Sequence, residues 1–233
     1  KFLEWLENYL TENNIENNIA MKPIGDLRKV YEKETLSESC VAKNPLDQFS
    51  LWWKDAVDNK VDEANAMTLA TAGEDGAPHA RIVLLKGFDK DGFVFFTNYQ
   101  SHKSLQIIQN PKVSLLFFWR ELERQVRIEG TALKISDADS DAYFNSRPYE
   151  SRIGAWVSAQ SEIIASREIL ENKVKEMEKN FEEKTIERPK FWGGFCVQPH
   201  SLEFWQGRPG RLHDRLLYSL KEDNKWTISR LSP

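Results

Sequence analysis

A run of five short β-rich segments is the feature that most limits how this chain can fold. They occupy residues 66–72, 80–88, 93–98, 113–119 and 126–135. Two of the intervening sequences, Gly73-Glu74-Asp75-Gly76 and Asp89-Lys90-Asp91-Gly92, are typical of hairpin turns. Consecutive strands joined by such turns predict an antiparallel sheet.

Helical patterns stand on either side of this run. Asn44 and Pro45 form an N-cap and first-turn pair, and they begin a helix with one apolar face, made of Leu46, Phe49, Trp53 and Ala56. We expect that face to pack on a core. Further helices are predicted from Ser101 to Asn110 and over 137–146, 151–157 and 167–181, and further strands over 194–204, 216–220 and 225–231. A barrel removes exposed sheet edges, so we predict a mainly β (α+β) fold with helices packed outside an antiparallel barrel.

Composition narrows the class of protein. With 233 residues and 40% hydrophobic content, the chain can bury the core of one large domain or two small ones. A net charge of −4 disfavours a general nucleic-acid binder. Cys40 and Cys196 are too few for a disulfide framework and favour a reducing compartment. The four histidines lack metal-ligand spacing, so no metal site is expected.

The sequence lacks the patterns of membrane and secreted proteins. No apolar run has the length of a membrane span, and Glu4 and Glu7 lie where a secretory signal is basic and then apolar. We therefore expect a cytoplasmic protein without a membrane partner. Because the sequence starts at Lys1, organelle targeting stays open.

The segment FWQGRPGRLHDR, residues 204–215, is the densest chemical signal. It holds three arginines, a histidine, a tryptophan and a glutamine. Guanidinium groups match phosphate or carboxylate, while Trp205 and Gln206 suit a flat heterocycle. A solvated basic turn with Asp214 as an internal partner is the alternative.

Ordered motifs extend this signal along the chain. They are Arg81-Ile82-Val83-Leu84-Leu85-Lys86, Arg124-Gln125-Val126, Tyr143-Phe144-Asn145-Ser146-Arg147-Pro148, Ile153-Gly154-Ala155-Trp156-Val157-Ser158 with Gln160-Ser161, and Phe191-Trp192-Gly193-Gly194. With these motifs the chain resembles the pyridoxamine 5′-phosphate oxidase family over residues 24–233. The resemblance implies a split β-barrel that binds FMN at the interface of a homodimer.

The resemblance also divides the chain into three parts. Residues 1–21, which open with an amphipathic helical pattern, form an unassigned extension, and residues 22–43 form a mobile lid segment. Residues 44–233 form the FMN-binding oxidase domain.

The resemblance implies a set of FMN contacts. Donors at the start of the helix after Ser101 suit a phosphate, and Arg215 suits the edge of the flavin that becomes anionic on reduction. His102 departs from the family, which usually has arginine there, so a titrating group replaces a permanent charge. The implied contacts are Arg81, Ile82, Val83, Leu84, Lys86, Phe96, Thr97, His102, Lys103, Gln125, Gln160, Ser161, Trp205 and Arg215.

The substrate residues are implied in the same way. The substrate phosphate is assigned to Lys86, Tyr143, Arg147 and Ser151. Arg211, Leu212 and His213 contact the substrate ring, with Arg211 and His213 as catalytic residues, and Arg28 and Tyr31 belong to the lid. Regular spacing predicts that Arg81 and Lys86 point to opposite faces of one strand, that Tyr143 and Arg147 share a helix face, and that Arg211 and His213 share a strand face.

The implied reaction is oxidation of pyridoxamine or pyridoxine 5′-phosphate by dioxygen, giving pyridoxal 5′-phosphate and hydrogen peroxide. Two alternatives remain at this point. One is a non-catalytic split-barrel protein that holds FMN or pyridoxal phosphate, and the other is a flavin reductase that uses a nicotinamide donor.

Overall fold

The computed structural model describes residues 29–182 and 185–233. The chain divides into two compact units, Lys1–Tyr31 and Glu32–Pro233. The predictions for residues 1–21 and for Arg28 lie outside the described residues. All elements below belong to the second unit, which also includes the latter part of the predicted lid segment.

Nine antiparallel strands form one sheet in the second unit. They are β1 (Ala66–Ala72), β2 (Pro78–Leu84), β3 (Gly87–Asp89), β4 (Gly92–Asn98), β5 (Lys112–Trp119), β6 (Arg124–Lys134), β7 (Trp192–Gln206), β8 (Asp214–Leu220) and β9 (Trp226–Arg230). Five helices accompany the sheet: α1 (Pro45–Asp58), α2 (His102–Gln109), α3 (Asp137–Ser146), α4 (Tyr149–Val157) and α5 (Arg167–Asn180).

The strand order shows how the sheet curls. The order is β2-β1-β5-β6-β7-β4-β3, with β8 and β9 added beside β7, so the path begins and ends on strands that are consecutive in the chain. Between them, the Leu85 N–H donates to Asn65 O and the Lys86 N–H donates to Val94 O, each at 2.8 Å. The link between β2 and β3 therefore joins both ends of the sheet, and the predicted antiparallel barrel with outer helices is confirmed.

Helix α1 packs on the barrel core as its sequence pattern predicts. The Asn44 side chain accepts a hydrogen bond from the Leu46 N–H at 2.8 Å, which caps the helix. Phe49 is fully buried and meets Phe93 edge to face, with 4.9 Å between ring centroids. A second apolar cluster forms where α3 and α4 meet the start of β7, and it includes Phe144, Ile153 and Trp192.

Several predicted boundaries shift by a residue or more, and two of these shifts affect the residues that line the site. The predicted strand 80–88 breaks after Leu84, because the Leu85 N–H bonds Asn65, just before β1, while the Lys86 N–H bonds Val94 of β4. The helix predicted from residue 151 begins at Tyr149, directly after Pro148 in the N-cap position. Proline fixes its own φ and favours a helix start immediately after it. Within the described residues, no helix combines the length and apolar character needed to span a membrane.

Candidate functional site

A cavity of about 440 Å³ opens between β2, β4, α2, α3 and α4. This volume lies in the range of small-molecule sites. Many of the residues expected from the sequence line it: Ile82, Val83, Leu84, Lys86, Phe96, Thr97, Lys103, Tyr143, Arg147, Ser151 and Gln160. The sequence therefore led to one continuous site on these elements.

Lys103 is a buried cation at one part of this cavity. Only 9% of the residue is exposed, and its ammonium donates to Thr97 Oγ1 at 3.1 Å, Ser101 Oγ at 3.1 Å and Gln160 Oε1 at 2.9 Å. Burial, together with the nearby charge of Arg81, lowers the pKa of Lys103 from 10.5 to about 8. Within the described part of the chain, the hydrogen-bond partners of this ammonium are neutral oxygens.

Arg81 supplies the second charge in this region. Its Nη1 donates to Thr71 Oγ1 at 2.6 Å and to Leu69 O at 3.2 Å, and burial lowers its pKa. The Thr71 hydroxyl donates in turn to Gln106 Oε1 at 2.7 Å. Thr71 and Gln106 thus fix the guanidinium, and the sequence analysis missed both.

Aromatic rings form another wall of the cavity. Phe96 and Tyr143 stack with 3.9 Å between centroids, and Trp192 stacks on Phe96 at 5.4 Å. The Arg147 guanidinium lies over the Trp192 ring, 4.5 Å from its centroid. The sequence motif that contains Trp192 assigned no role to it. Its ring contacts show that Trp192 forms part of the cavity wall and supports the Arg147 guanidinium.

Arg147 is prepared to receive a hydrogen-bond acceptor. Its Nη1 atom is buried and has no hydrogen-bond partner among the described residues, and burial lowers the pKa of the guanidinium. An unpaired buried donor is costly, which points to a ligand that satisfies it. Arg147 is the C-cap of α3 and lies just beyond the predicted helix. Tyr143 and Arg147 still line one cavity, although helical spacing does not account for it.

Lys86 lies on the same cavity, although it is outside any regular strand. The alternation of side chains along a strand therefore does not apply to Lys86, and the predicted opposite orientation of Arg81 and Lys86 loses its basis. Arg81 does not line the cavity itself. Among residues 32–182 and 185–233, no carboxylate forms an ion pair with Arg81, Lys86, Lys103 or Arg147.

A buried arginine holds the helical wall in place. The Arg188 side chain is 2% exposed and donates to Asp137 at 2.6 Å, Asp141 at 2.5 Å and Trp192 O at 2.6 Å. These hydrogen bonds hold α3 against the start of β7, because the two carboxylates belong to α3 and the carbonyl belongs to β7. Arg188 is a positioning residue that the sequence analysis did not identify.

His102 lies beside the Lys103 region but does not line the cavity. Its exposed imidazole meets the His79 ring edge to face, with 4.7 Å between centroids. Its backbone N–H donates to Ser161 Oγ at 3.2 Å, and Ser161 has a positive φ of 78°. The contact with FMN proposed for His102 and Ser161 stays a prediction.

A separate row of predicted residues crosses three strands. Gln125 of β6 lies directly opposite Trp205 of β7, which lies opposite Arg215 of β8. Side chains at paired positions share a sheet face. The neighbouring row Val126, Phe204 and Leu216 is fully buried in the barrel, so Gln125, Trp205 and Arg215 face outward. None of the three lines the cavity.

Arg215 is held by a buried carboxylate. Its Nε donates to Glu203 at 2.7 Å, and Arg127 donates to the other oxygen of Glu203 at 2.7 Å. Burial opposes ionisation of Glu203, but these hydrogen bonds and charges lower its pKa. Glu203 therefore stays charged and orients Arg215.

Arg211, Leu212 and His213 lie in the turn before β8, not on a strand. Gly210 and Arg211 have positive φ values of 64° and 63°, which reverse the chain. The prediction of a shared strand face is therefore wrong, because β8 begins only at Asp214. The His213 ring instead packs on Trp205, with 4.6 Å between centroids. Tyr31 belongs to the first compact unit, and its role in a lid stays a prediction.

Comparison with known proteins identifies the family. A family model described as pyridoxamine 5′-phosphate oxidase matches residues 53–181, more than half of the chain. The chain belongs to the pyridoxamine 5′-phosphate oxidase family. A second model, described as the pyridoxine 5′-phosphate oxidase C-terminal dimerisation region, matches residues 192–233. The dimerisation region therefore includes β7, β8 and β9.

Individual members of the pyridoxamine 5′-phosphate oxidase family agree with this assignment. The pyridoxine/pyridoxamine 5′-phosphate oxidase of Trichormus variabilis is 56% identical over 212 residues, covering 91% of this chain and 99% of the relative. That of Paraburkholderia phymatum is 55% identical over 213 residues, covering 91% and 100%.

Solved structures share the fold. PhzG from Burkholderia lata 383, in complex with tetrahydrophenazine-1-carboxylic acid, matches with a TM-score of 0.81 and 27% identity, covering 87% of this chain and all of that one. A pyridoxamine 5′-phosphate oxidase-related, FMN binding protein from Nostoc punctiforme matches with a TM-score of 0.62 and 19% identity, covering 78% and 97%. The second match supports the fold alone.

Proposed function

We propose that the chain is an FMN-dependent oxidase that converts pyridoxamine and pyridoxine 5′-phosphate to pyridoxal 5′-phosphate, with dioxygen as the oxidant. The observation that carries this proposal is that two groups of cations lie at or beside one cavity, and that among the described residues no carboxylate forms an ion pair with them. Arg81 with Lys103 form one group, and Lys86 with Arg147 form the other. Two groups suit two phosphates, one on the cofactor and one on the substrate.

The residues present fit FMN. Lys103 is a buried ammonium whose partners, in the residues that the structure describes, are neutral oxygens, so a phosphate dianion supplies a counter-charge. The N-terminus of α2 adds backbone donors and a favourable dipole beside it. Ile82, Val83 and Leu84 offer an apolar surface to a flat ring system, and Gln160 offers an amide. We therefore assign the FMN phosphate to Arg81 and Lys103.

The second cation group suits the substrate phosphate. The Arg147 guanidinium and Lys86 ammonium supply positive charge, while the hydroxyls of Tyr143 and Ser151 supply further hydrogen bonds. These groups bind the phosphate in the ground state and the transition state alike, so their role is to hold and orient the substrate. FMN, when held by these residues, would supply the redox chemistry as a hydride acceptor that dioxygen reoxidises.

We propose further that each site is shared between two chains. The outward row Gln125, Trp205 and Arg215, with Arg211 and His213 beside it, does not line the cavity of its own chain. Most of these residues lie within the matched dimerisation region. The cavity wall is also incomplete, since Ile82 is 64% exposed. In a homodimer the row from one protomer covers the cavity of its partner.

A product assay tests the reaction. Purified protein loaded with FMN is given pyridoxine phosphate or unphosphorylated pyridoxine in air. We expect pyridoxal phosphate and hydrogen peroxide in equal amounts from the first, and a KM at least about 100-fold higher for the second, because Arg147 and Lys86 lose their partner. Equal KM values for the two substrates would overturn the phosphate assignment.

A mixing experiment tests the shared site. The variants Arg147→Ala and Arg211→Ala are inactive or weak alone, and they are mixed under conditions that exchange protomers. A shared site gives a heterodimer with one site that carries both changes and one that carries neither, so activity returns. A site contained within one chain gives no recovery.

The chemistry of the substrate distinguishes the alternatives. A flavin reductase needs a nicotinamide donor, and a non-catalytic binder shows no turnover with any donor. PhzG binds a carboxylated tricycle, so tetrahydrophenazine-1-carboxylic acid is a third substrate to test. Turnover of that compound with no turnover of pyridoxine phosphate would replace the proposed reaction with a related oxidation.

A further inference from the structure

The turn between β7 and β8 fixes the protonation state of His213. The backbone N–H of Arg208 donates to His213 Nδ1 at 3.1 Å. A backbone N–H is always a donor, so the ring nitrogen opposite it must accept. A neutral imidazole carries its single proton on the other nitrogen. His213 is therefore held with its proton on Nε2.

The conformation of the turn creates this contact. The successive positive φ values of Gly210 and Arg211 bring residue 213 back to residue 208. A backbone hydrogen bond from Leu212 N to Pro209 O, 3.3 Å long, closes the turn from within. Non-glycine residues seldom adopt such a φ, and strained backbone of this kind concentrates at functional sites. The Trp205 ring, 4.6 Å from the imidazole, fixes the ring plane.

In the part of the chain that the structure describes, the surroundings of the ring favour its neutral form. Burial and the positive charge of Arg211 both lower the pKa of His213. Asp214 is the neighbouring acid, but its carboxylate accepts from Arg230 at 2.8 Å and from the Leu36 N–H at 3.1 Å. A second cation is close as well, since Arg208 Nη1 lies 3.7 Å from Asp214 Oδ2. Asp214 is thus committed to other donors and does not stabilise a protonated His213.

We propose that His213 acts on the substrate ring as a neutral hydrogen-bond donor through Nε2, and that the Arg208 backbone is the positioning group that sets this tautomer. This assignment rests on the proposed function for the identity of the substrate. It excludes a role as general base, because Nδ1 is occupied by the Arg208 N–H and Nε2 already carries a proton. It also explains the left-handed turn at Gly210 and Arg211, which orients the Nε2–H group of His213.

Nuclear magnetic resonance of the FMN-loaded protein, with histidine labelled with ¹⁵N, tests the tautomer directly. Two-bond correlations distinguish a proton on Nε2 from one on Nδ1, and the His213→Asn variant assigns the signal. We expect the Nε2–H form at neutral pH, with protonation only below the ordinary value of about 6.5. A proton on Nδ1, or a charged ring at neutral pH, would overturn the assignment. This readout does not depend on turnover.

Two substitutions then test the donor role. His213→Gln can present an amide N–H near the position of Nε2, whereas His213→Asn reaches only the position of Nδ1 and can still accept from Arg208. We expect the Gln variant to retain at least about 10-fold more kcat/KM for pyridoxine phosphate than the Asn variant. Equal losses of kcat/KM in the two variants, together with an acidic limb in the kcat pH profile of the parent that both variants lack, would identify His213 as a base instead.

The two experiments separate the possible failures. If the parent protein does not oxidise pyridoxine phosphate, the proposed function is wrong, while the magnetic resonance result still decides the tautomer. If the parent oxidises pyridoxine phosphate but His213 carries its proton on Nδ1, only the inference about His213 is wrong.

Discussion

Replacing Lys103 with methionine should stabilise the FMN-free protein while weakening FMN binding. The Lys103 ammonium is buried, and burial is the main cause that lowers its pKa from 10.5 to about 8. At neutral pH the fold therefore holds a charge that is more stable in water. That penalty is the free energy which a bound phosphate recovers.

The magnitude follows from the pKa. A fall from 10.5 to about 8 corresponds to roughly 3 kcal/mol, at about 1.4 kcal/mol per pKa unit. The cavity is open to solvent, which reduces the penalty to about 2 kcal/mol. Methionine also gives up the hydrogen bonds to Thr97, Ser101 and Gln160. We therefore expect a net gain of about 1 kcal/mol and a Tm higher by about 2–4 °C.

The effect depends on pH with a definite sign. The folded-state pKa lies below the unfolded value, so the unfolded chain binds more protons between about pH 8 and 10.5 and the parent becomes relatively more stable across that window. The gain from removing the charge is therefore full below pH 8 and is gone near pH 10.5, where the lost hydrogen bonds leave the Lys103→Met variant less stable than the parent.

Thermal melts without FMN, at pH 7 and pH 10, measure this difference, and fluorescence titration measures FMN affinity. We expect the loss of a charged hydrogen bond to weaken FMN binding by about 10- to 100-fold. Lys103→Arg keeps the charge and serves as the control. A methionine variant that melts below the parent at pH 7, or by the same margin at both pH values, would refute the reasoning.

Three further predictions test other parts of the site. Arg147→Ala should raise the KM for pyridoxine phosphate by about 10- to 100-fold with a smaller change in kcat, since the phosphate is bound alike in both states; an unchanged KM contradicts this. Arg211→Gly and Arg211→Ala should both keep FMN and lose turnover. In denaturant unfolding, the glycine variant should be more stable than the alanine variant by about 1 kcal/mol, because glycine adopts the φ of 63° without strain. Equal stabilities of the two variants count against backbone strain at this position. His102→Arg should tighten FMN binding, because it places a permanent charge beside the assigned phosphate, and an unchanged FMN dissociation constant would show that this position does not act on the phosphate.

The sequence predicted the elements because their signals are local. Alternating apolar residues, hairpin turns and the Asn44-Pro45 start depend only on near neighbours. The break after Leu84 has no such signal, because it arises from hydrogen bonds to Asn65, just before β1, and to Val94 of β4. The same limit explains the error at Arg211 and His213, whose turn depends on two left-handed residues in succession.

The sequence predicted which residues belong to the site better than it predicted how they are placed in space. The family resemblance named Lys86, Lys103, Tyr143 and Arg147, and the fold brings these residues around one cavity. Supporting residues such as Thr71, Arg188 and Glu203 act through contacts between distant segments, so no short motif marks them. The outward row of Gln125, Trp205 and Arg215 required the strand register.

Anaerobic mixing tests the central claim most directly. Protein loaded with FMN is combined with pyridoxine phosphate in one experiment and with NADPH in another, in the absence of dioxygen, and the absorbance of oxidised flavin is followed. We predict that pyridoxine phosphate bleaches the flavin in one turnover and yields one pyridoxal phosphate per FMN, whereas NADPH leaves the flavin oxidised. Bleaching by NADPH alone, or by neither donor, would contradict the proposed oxidase.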